Sequence, residues 1–298
     1  MSLPLTQRIS FAECSARERL AHLLDADSFQ EWLPPGERVM SPHLAQLGVP
    51  AAFDDGVAVG RALLAGHSVF VAAQEGAFMG GGVGEVHGAK LVGLLRRALR
   101  ERPEAVLLLA DSGGVRLHEA NAGLIAVSEV MRALLDVRAA GIPVVVLIGG
   151  ANGCFGGMGI VAACADHVVL SDVGRHAMSG PEVIESAGGV EEFDSRDRAL
   201  VWRTTGGKHR FLLGDCDQLV DDDVAAFRAA AVRALDQGRA LTLESLEAEH
   251  RLLADRLDAA GDGADAVALW RRLGIEQPEQ IPDLSVTDIN ALREEHPA

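Results

Sequence analysis

Ala105-Val-Leu-Leu-Leu-Ala110 runs directly into Asp111-Ser112-Gly113-Gly114, and Val144-Val-Val-Leu-Ile148 runs into Gly149-Gly150 and then Gly153-Cys154-Phe155-Gly156-Gly157-Met158-Gly159. Short apolar runs bounded by glycine read as buried strands, and each block is followed by a stretch that reads as helix. Strand, glycine turn and helix start together leave backbone N–H groups without partners and aimed at one spot. A tight turn accounts for a single block. Two blocks on consecutive strands point to paired donors for an oxygen that gains negative charge during a reaction.

Outward from these blocks the alternation continues. Ser15 to Asp25 reads as a short helix, and 28–50, punctuated by proline, as loop. Residues 56–64 and 67–73 read as paired strands around an Ala65-Gly66 turn. Gly80-Gly81-Gly82 leads to a helix over 85–100 with Leu91, Leu94, Leu95 and Ala98 on one side. Helices are predicted over 117–139 and 156–165, then a strand over 167–170. Later helices are predicted over 224–237, 243–259 and 264–273, with Asp262-Gly263 as a turn. The fold class is α/β on buried parallel strands, and the paired strands at 56–73 favour stacked ββα turns over a doubly wound sheet. The chain divides into an N-terminal helix and loop (1–55), a core (56–215) and an acidic helical extension (216–298).

With 48% hydrophobic and 23% charged residues, the 298-residue chain is folded and large enough to bury a substantial core. No apolar run reaches the length of a membrane span. Met1–Ser10 lacks the basic start and apolar centre of a signal peptide, so a cytoplasmic location is expected. The net charge of -16 is uneven, with 19 acidic and 8 basic residues over 215–298, and disfavours nucleic acid as a partner. The four cysteines show no CxxC spacing, so no metal is expected, and Cys154 reads as packing. Only two lysines occur, Lys90 and Lys208.

Nucleotide sites are also disfavoured. Gly80-Gly-Gly-Val-Gly84 follows no clear parallel strand and lacks the later acidic partner of a dinucleotide site. Lys208 follows Gly206-Gly207 without phosphate-loop spacing.

Gly80-Gly-Gly-Val-Gly-Glu-Val-His-Gly88, Asp111-Ser-Gly-Gly-Val-Arg-Leu-His-Glu119, Gly156-Gly157 and the early Ala16-Arg-Glu-Arg-Leu20 resemble the carboxyltransferase subunits of acyl-CoA carboxylases and decarboxylases. The segment Phe193-Asp-Ser-Arg-Asp-Arg-Ala-Leu-Val-Trp-Arg-Thr-Thr-Gly-Gly-Lys-His-Arg210 is similar to the β subunits of malonate decarboxylases. The four-cysteine zinc ribbon that often begins acetyl-CoA carboxylase β subunits is missing. The resemblance covers 15–215 and implies a crotonase-like spiral of ββα turns, here with a helical C-terminal extension. It implies a carboxy-lyase subunit that converts malonyl-S-acyl carrier protein to acetyl-S-acyl carrier protein through an enolate. The substrate arrives on a CoA-like pantetheine arm; the implied partners are a γ subunit, the acyl carrier protein and an acyl-transfer subunit. Neither biotin nor a metal is expected. Two other readings stay open, a biotin-dependent acyl-CoA carboxyltransferase subunit and a non-catalytic scaffold for an acyl carrier protein.

By motif position, the oxyanion donors are N–H groups around Gly113, Gly114, Val115, Gly156 and Gly157. Arg116 could grip a carboxylate or phosphate, or else pair with Glu119. Arg196, Arg198, Arg203, Lys208, His209 and Arg210 form a dense basic cluster. Within it Arg196, Arg203, Lys208 and His209 are candidates for the phosphates of the pantetheine arm or for an acidic carrier protein. The alternative is a solvated face paired with Asp194 and Asp197. Glu85 and His87 either orient the first motif or are simply packed.

Overall fold

The computed structural model describes residues 8–260 and 265–296. Its strands are β1 (Gln30–Trp32), β2 (Val57–Leu64), β3 (His67–Gln74), β4 (Ala105–Ala110), β5 (Val144–Ile148), β6 (His167–Ser171) and β7 (Gln218–Val220). They lie side by side in chain order in one sheet. The first three pair antiparallel, and β3 to β7 are parallel. Ala65 and Gly66 both adopt positive φ, 52° and 85°, which suits a two-residue hairpin turn. The Asp25 carboxylate accepts both turn N–H groups at 2.8 Å.

The helices are α1 (Ala16–Leu23), α2 (Pro42–Gln46), α3 (Glu85–Glu101), α4 (Ala122–Ala139), α5 (Gly156–Ala163), α6 (Pro181–Gly188), α7 (Arg198–Thr205), α8 (Gly207–Leu212), α9 (Val224–Ala234), α10 (Leu243–Ala260), α11 (Ala266–Arg272) and α12 (Val286–Glu295). Among the described residues, none is long and apolar enough to cross a membrane. α1 starts where Ser15 and Glu18 cap one another, which satisfies two otherwise orphaned N–H groups.

After β3, β4, β5 and β6 the chain touches a second, shorter ladder. Val83 bridges Val115, Ser112 bridges Cys154, and Cys154 bridges His176, all in parallel. Long strand, short bridge and helix make up each ββα turn, so the spiral expected from the family resemblance is present. Both glycine blocks lie on the short ladder.

The parallel strands are buried on both faces, which is why β4 and β5 read as unbroken apolar runs. Phe70, Val106, Leu108 and Val146 pack with residues of α3, α4 and α5. Val71, Leu107, Leu109 and Val145 pack with residues of α1 and α9, where Phe11 stacks on Phe227 at 4.0 Å.

Several boundaries differ from the sequence expectations. The stretch 28–50 contains β1 and α2. α4 starts at Ala122, because Leu117–Glu119 form a 3-10 turn that Ala120 ends with φ 51°. The sheet continues past residue 215: β7 is its last strand, and Phe227 of α9 is fully buried. Trp270 of α11 and Ile289 of α12 join the same buried cluster as residues of β4 and β5, so core packing reaches into the C-terminal segment. The turn expected at Asp262-Gly263 lies outside the described residues.

Candidate active site

Val115 sits on the short ladder, Gly156 and Gly157 start α5, and Gly113 and Gly114 lie between two bridge residues; the structure separates spent donors from free ones. Gly113 N–H donates to Gly80 O at 2.8 Å, and Gly156 N–H to Met178 O at 2.9 Å. Gly114 N–H is turned to Ser112 Oγ at 3.2 Å. Among the described residues, the N–H groups of Val115 and Gly157 donate to no protein acceptor. Gly157 lies in the first turn of α5, where N–H groups have no intrahelical partner.

These two free amides follow two glycines that touch. Gly114 has φ 132° and Gly156 φ 56°, and a Cβ on Gly156 would stand 2.9 Å from Gly114 Cα. Gly157 packs just as closely, since a Cβ there would meet Val127 Cγ2 of α4 at 2.6 Å. At Gly114 and Gly156 the two loops approach backbone to backbone, which leaves no room for a side chain on Gly156. Within the Gly80-Gly-Gly run, Gly81, at φ 66°, lies against Asp111 O, where a methyl group would collide.

The buried Asp111 carboxylate ties the loops together. Oδ1 accepts Asn152 N–H at 2.8 Å and Asn152 Nδ2 at 3.2 Å. Oδ2 accepts Arg19 Nη1 at 2.9 Å, with both side chains almost fully buried. Asn152 Nδ2 also donates to Gly76 O at 3.0 Å. Gln74 Oε1 accepts Asp111 N–H, and Gln74 Nε2 faces His87 Nε2 at 3.1 Å. Since that Nε2 accepts from Gln74, the His87 ring is neutral and its Nδ1–H is left for Asp55 O at 3.1 Å. Burial and the nearby Arg116 push His87 down to about 3. The sequence reading named neither Asn152 nor Arg19. The Arg19 signal lay in the Ala16-Arg-Glu-Arg-Leu20 motif.

Several of the side-chain candidates have partners within the chain. Arg116 is 2% exposed, and its Nη1 is held by Asp55 at 2.9 Å and Glu119 at 2.8 Å, so it locks the loop and presents no charge to a ligand. Lys208 Nζ donates to Pro282 O at 2.6 Å and Leu284 O at 2.7 Å, so it pins the C-terminal segment. Lys90 serves a similar end, with Nζ on Asp54 O at 2.8 Å and Val57 O at 2.5 Å. His209 is buried edge-on to Trp270 at 5.7 Å and is pushed by burial to about 3, so it carries no charge for a phosphate. Arg203, Lys208 and His209 do share the wall of one cavity with Asp172, Trp202 and Trp270. Arg196 is exposed away from that cavity. Asp194 and Asp197 accept backbone N–H groups of Arg196 and Leu200.

Cys154 is fully buried, and burial pushes its thiol up, the opposite of an activated nucleophile. Among the described residues, no group of three or more His, Cys, Asp and Glu is placed to hold a metal ion. Leu117 (80%) and Ile160 lie on the segments that carry the free amides, Ile125 (62%) lies on α4 and Met178 (70%) in the stretch after β6, and all four are exposed. Exposed apolar groups gathered around a site mark a surface that another molecule covers. Among the described residues, the two free N–H groups are available to an oxyanion, and the buried Cys154 thiol is not activated as a nucleophile.

The carboxyl transferase domain model matches residues 12–230. The malonyl-S-ACP:biotin-protein carboxyltransferase MADC of Malonomonas rubra is 38% identical over 304 residues, spanning 95% of each chain. A chain of the Pseudomonas malonate decarboxylase hetero-tetramer, solved with malonate, is 42% identical with a TM-score of 0.82, covering 90% of this chain and 98% of that one. A chain of the Pseudomonas MdcD-MdcE hetero-dimer is 37% identical with a TM-score of 0.67, covering 85% of this chain and 99% of that one. The resemblance to malonate decarboxylase subunits stands, and the chain belongs to the carboxyl transferase domain family.

Proposed function

We propose that this chain is the β subunit of a malonate decarboxylase and releases CO₂ from malonyl-S-acyl carrier protein. The observation that carries this reading is the pair of unpaired N–H groups, Val115 and Gly157, beside the contact of Gly114 with Gly156. Decarboxylation needs no nucleophile. The bond between C2 and the free carboxylate breaks, CO₂ leaves, and the electron pair passes through C2 onto the thioester oxygen. Two fixed amides hold that oxyanion, and a proton delivered to C2 gives the acetyl thioester. One such donor contributes about 2.7–4 kcal/mol to lowering the barrier.

The exposed apolar rim of Leu117, Ile125, Ile160 and Met178 supports a γ subunit that covers the site and keeps it dry. Hetero-oligomeric malonate decarboxylase structures among the similar chains support the same assembly. Of the basic cluster, Arg196 and Arg203 form no ion pair among the described residues, and we assign them to the pantetheine arm or the carrier protein. An acyl-transfer subunit would load malonate on the carrier.

The name of the Malonomonas relative favours a second reading, in which the carboxyl group passes to a biotin protein. The same amides serve both, because the same bond breaks and the same enolate forms. CO₂ release from malonyl-S-acyl carrier protein by this chain with its γ subunit, with and without avidin, separates the two. Release that avidin leaves unchanged is the expected result. Release that avidin stops would establish biotin transfer, and full activity of a complex lacking this chain's free amides would establish the scaffold reading.

A further inference from the structure

α10 is eighteen residues long, and not one of its described side chains is buried. A helix of this length in water draws most of its stability from packing an apolar face. Its apolar face is present but uncovered. Leu243, Leu246, Leu253 and Leu257 are 73%, 52%, 50% and 75% exposed, and with His250 they recur at heptad spacing, which places them in one stripe. The side of α10 held to the core is a different one: Arg256 bonds Leu213 O and pairs with Asp215 at 3.5 Å, and Leu252 is half-buried beside it.

Below the stripe runs a groove of about 440 Å³ whose walls include Leu253 and Glu249 of α10 and Ile160, Ala163 and Met178 of the core. Ile160 and Met178 also belong to the apolar rim beside the free amides. The stripe is thus continuous with the surface at the mouth of the site.

Charge narrows the choice of occupant. Among the described residues, Glu244, Glu247, Glu249, Asp255 and Asp258 of α10 form no ion pair. A second copy of this chain, at net charge -16 with the same carboxylates, would be repelled. An acidic partner of any kind would be repelled too. We propose that α10 is a docking helix for the γ subunit, and that its leucine stripe seats in an apolar groove of that subunit edged by Lys or Arg. This rests on the function proposed above and adds where the partner grips the chain, away from the amides.

The test uses the full-length chain and the γ subunit. Leu246→Glu/Leu257→Glu replaces two exposed leucines, so the monomer keeps its fold, checked by circular dichroism and thermal melting. The expected result is a loss of affinity for the γ subunit on the order of 100-fold. Hydrogen exchange over 243–258 slows in the wild-type complex, and Glu247→Lys/Asp258→Lys weakens binding more at low salt than at high salt. Wild-type affinity in the leucine variant would overturn the docking helix while leaving the proposed function standing. Absence of any wild-type complex would overturn both. Self-association of the isolated chain that the same leucine changes abolish would assign the stripe to a second copy.

Discussion

Asn152 donates two hydrogen bonds to one oxygen of Asp111, from its N–H at 2.8 Å and its Nδ2 at 3.2 Å. The bonds span the two glycine loops and tie them together through side chains. Asn152→Ala should lower kcat on the order of 100-fold with little change in KM, because a misplaced donor acts on the transition state. Steady-state kinetics of the complex checks the split, and Asn152→Asp should not rescue, since it faces Asp111 with a second carboxylate.

Asp111→Ala should do more harm to the fold than to any single contact. It leaves the Arg19 guanidinium buried without its partner, at a cost of about 3–5 kcal/mol. Urea denaturation should place this variant well below Asn152→Ala.

Gly156→Ala tests the close approach of the loops. The new methyl would sit 2.9 Å from Gly114 Cα on a residue with φ 56°. The left-handed conformation alone costs about 1–2 kcal/mol for a residue with a side chain. Activity should fall by more than the melting temperature suggests, because the loop shifts where the donors are; an unchanged rate with lowered stability would count against the assignment.

Three buried histidines make the fold acid-sensitive. Burial pushes His87 and His209 to about 3 and His176 to about 4, while the unfolded chain binds protons near the ordinary value of about 6.5. Below that value the unfolded state takes up protons that the native state refuses. Their stabilisation is therefore complete above about pH 6.5 and is lost as the pH falls toward the native values. Each histidine contributes a slope of about 1.4 kcal/mol per pH unit. Thermal melting between about pH 7.5 and about pH 4.5 should show the decline. His209→Phe keeps an aromatic ring against Trp270 and should flatten the curve; parallel curves would contradict this origin.

Lys208→Met should leave the decarboxylation rate near wild type. It removes the two bonds to Pro282 O and Leu284 O, so limited proteolysis should cut earlier between α11 and α12. A loss of kcat/KM without faster cleavage would return Lys208 to the substrate.

Much of the spiral was legible because its signals are local. β4 and β5 are unbroken apolar runs, and α3 carries its leucines at helical spacing. The hairpin at Ala65-Gly66 follows from one dipeptide. β1 and β7 are three residues each, too short for periodicity to register, and they exist only because a neighbouring strand offers a ladder. The glycine blocks pointed to the donor region, but a sequence cannot say which N–H a distant carbonyl has already taken. Gly80 O and Met178 O settle that for Gly113 and Gly156. Arg116, Lys208 and His209 stand in the sequence as cations near a site, and only tertiary contacts reveal the carboxylates, carbonyls and indole that face them.

The most direct test of the account removes one free amide and nothing else of the donor set. In a Val127→Ala background, which makes room on α4, Gly157→Pro places an imino acid in the first turn of α5, where proline is tolerated. Single-turnover CO₂ release from malonyl-S-acyl carrier protein, with the γ subunit bound, is compared with Val127→Ala alone. The expected result is an intact complex whose rate is about 10²–10³-fold lower. An intact complex that turns over at the parental rate would contradict it.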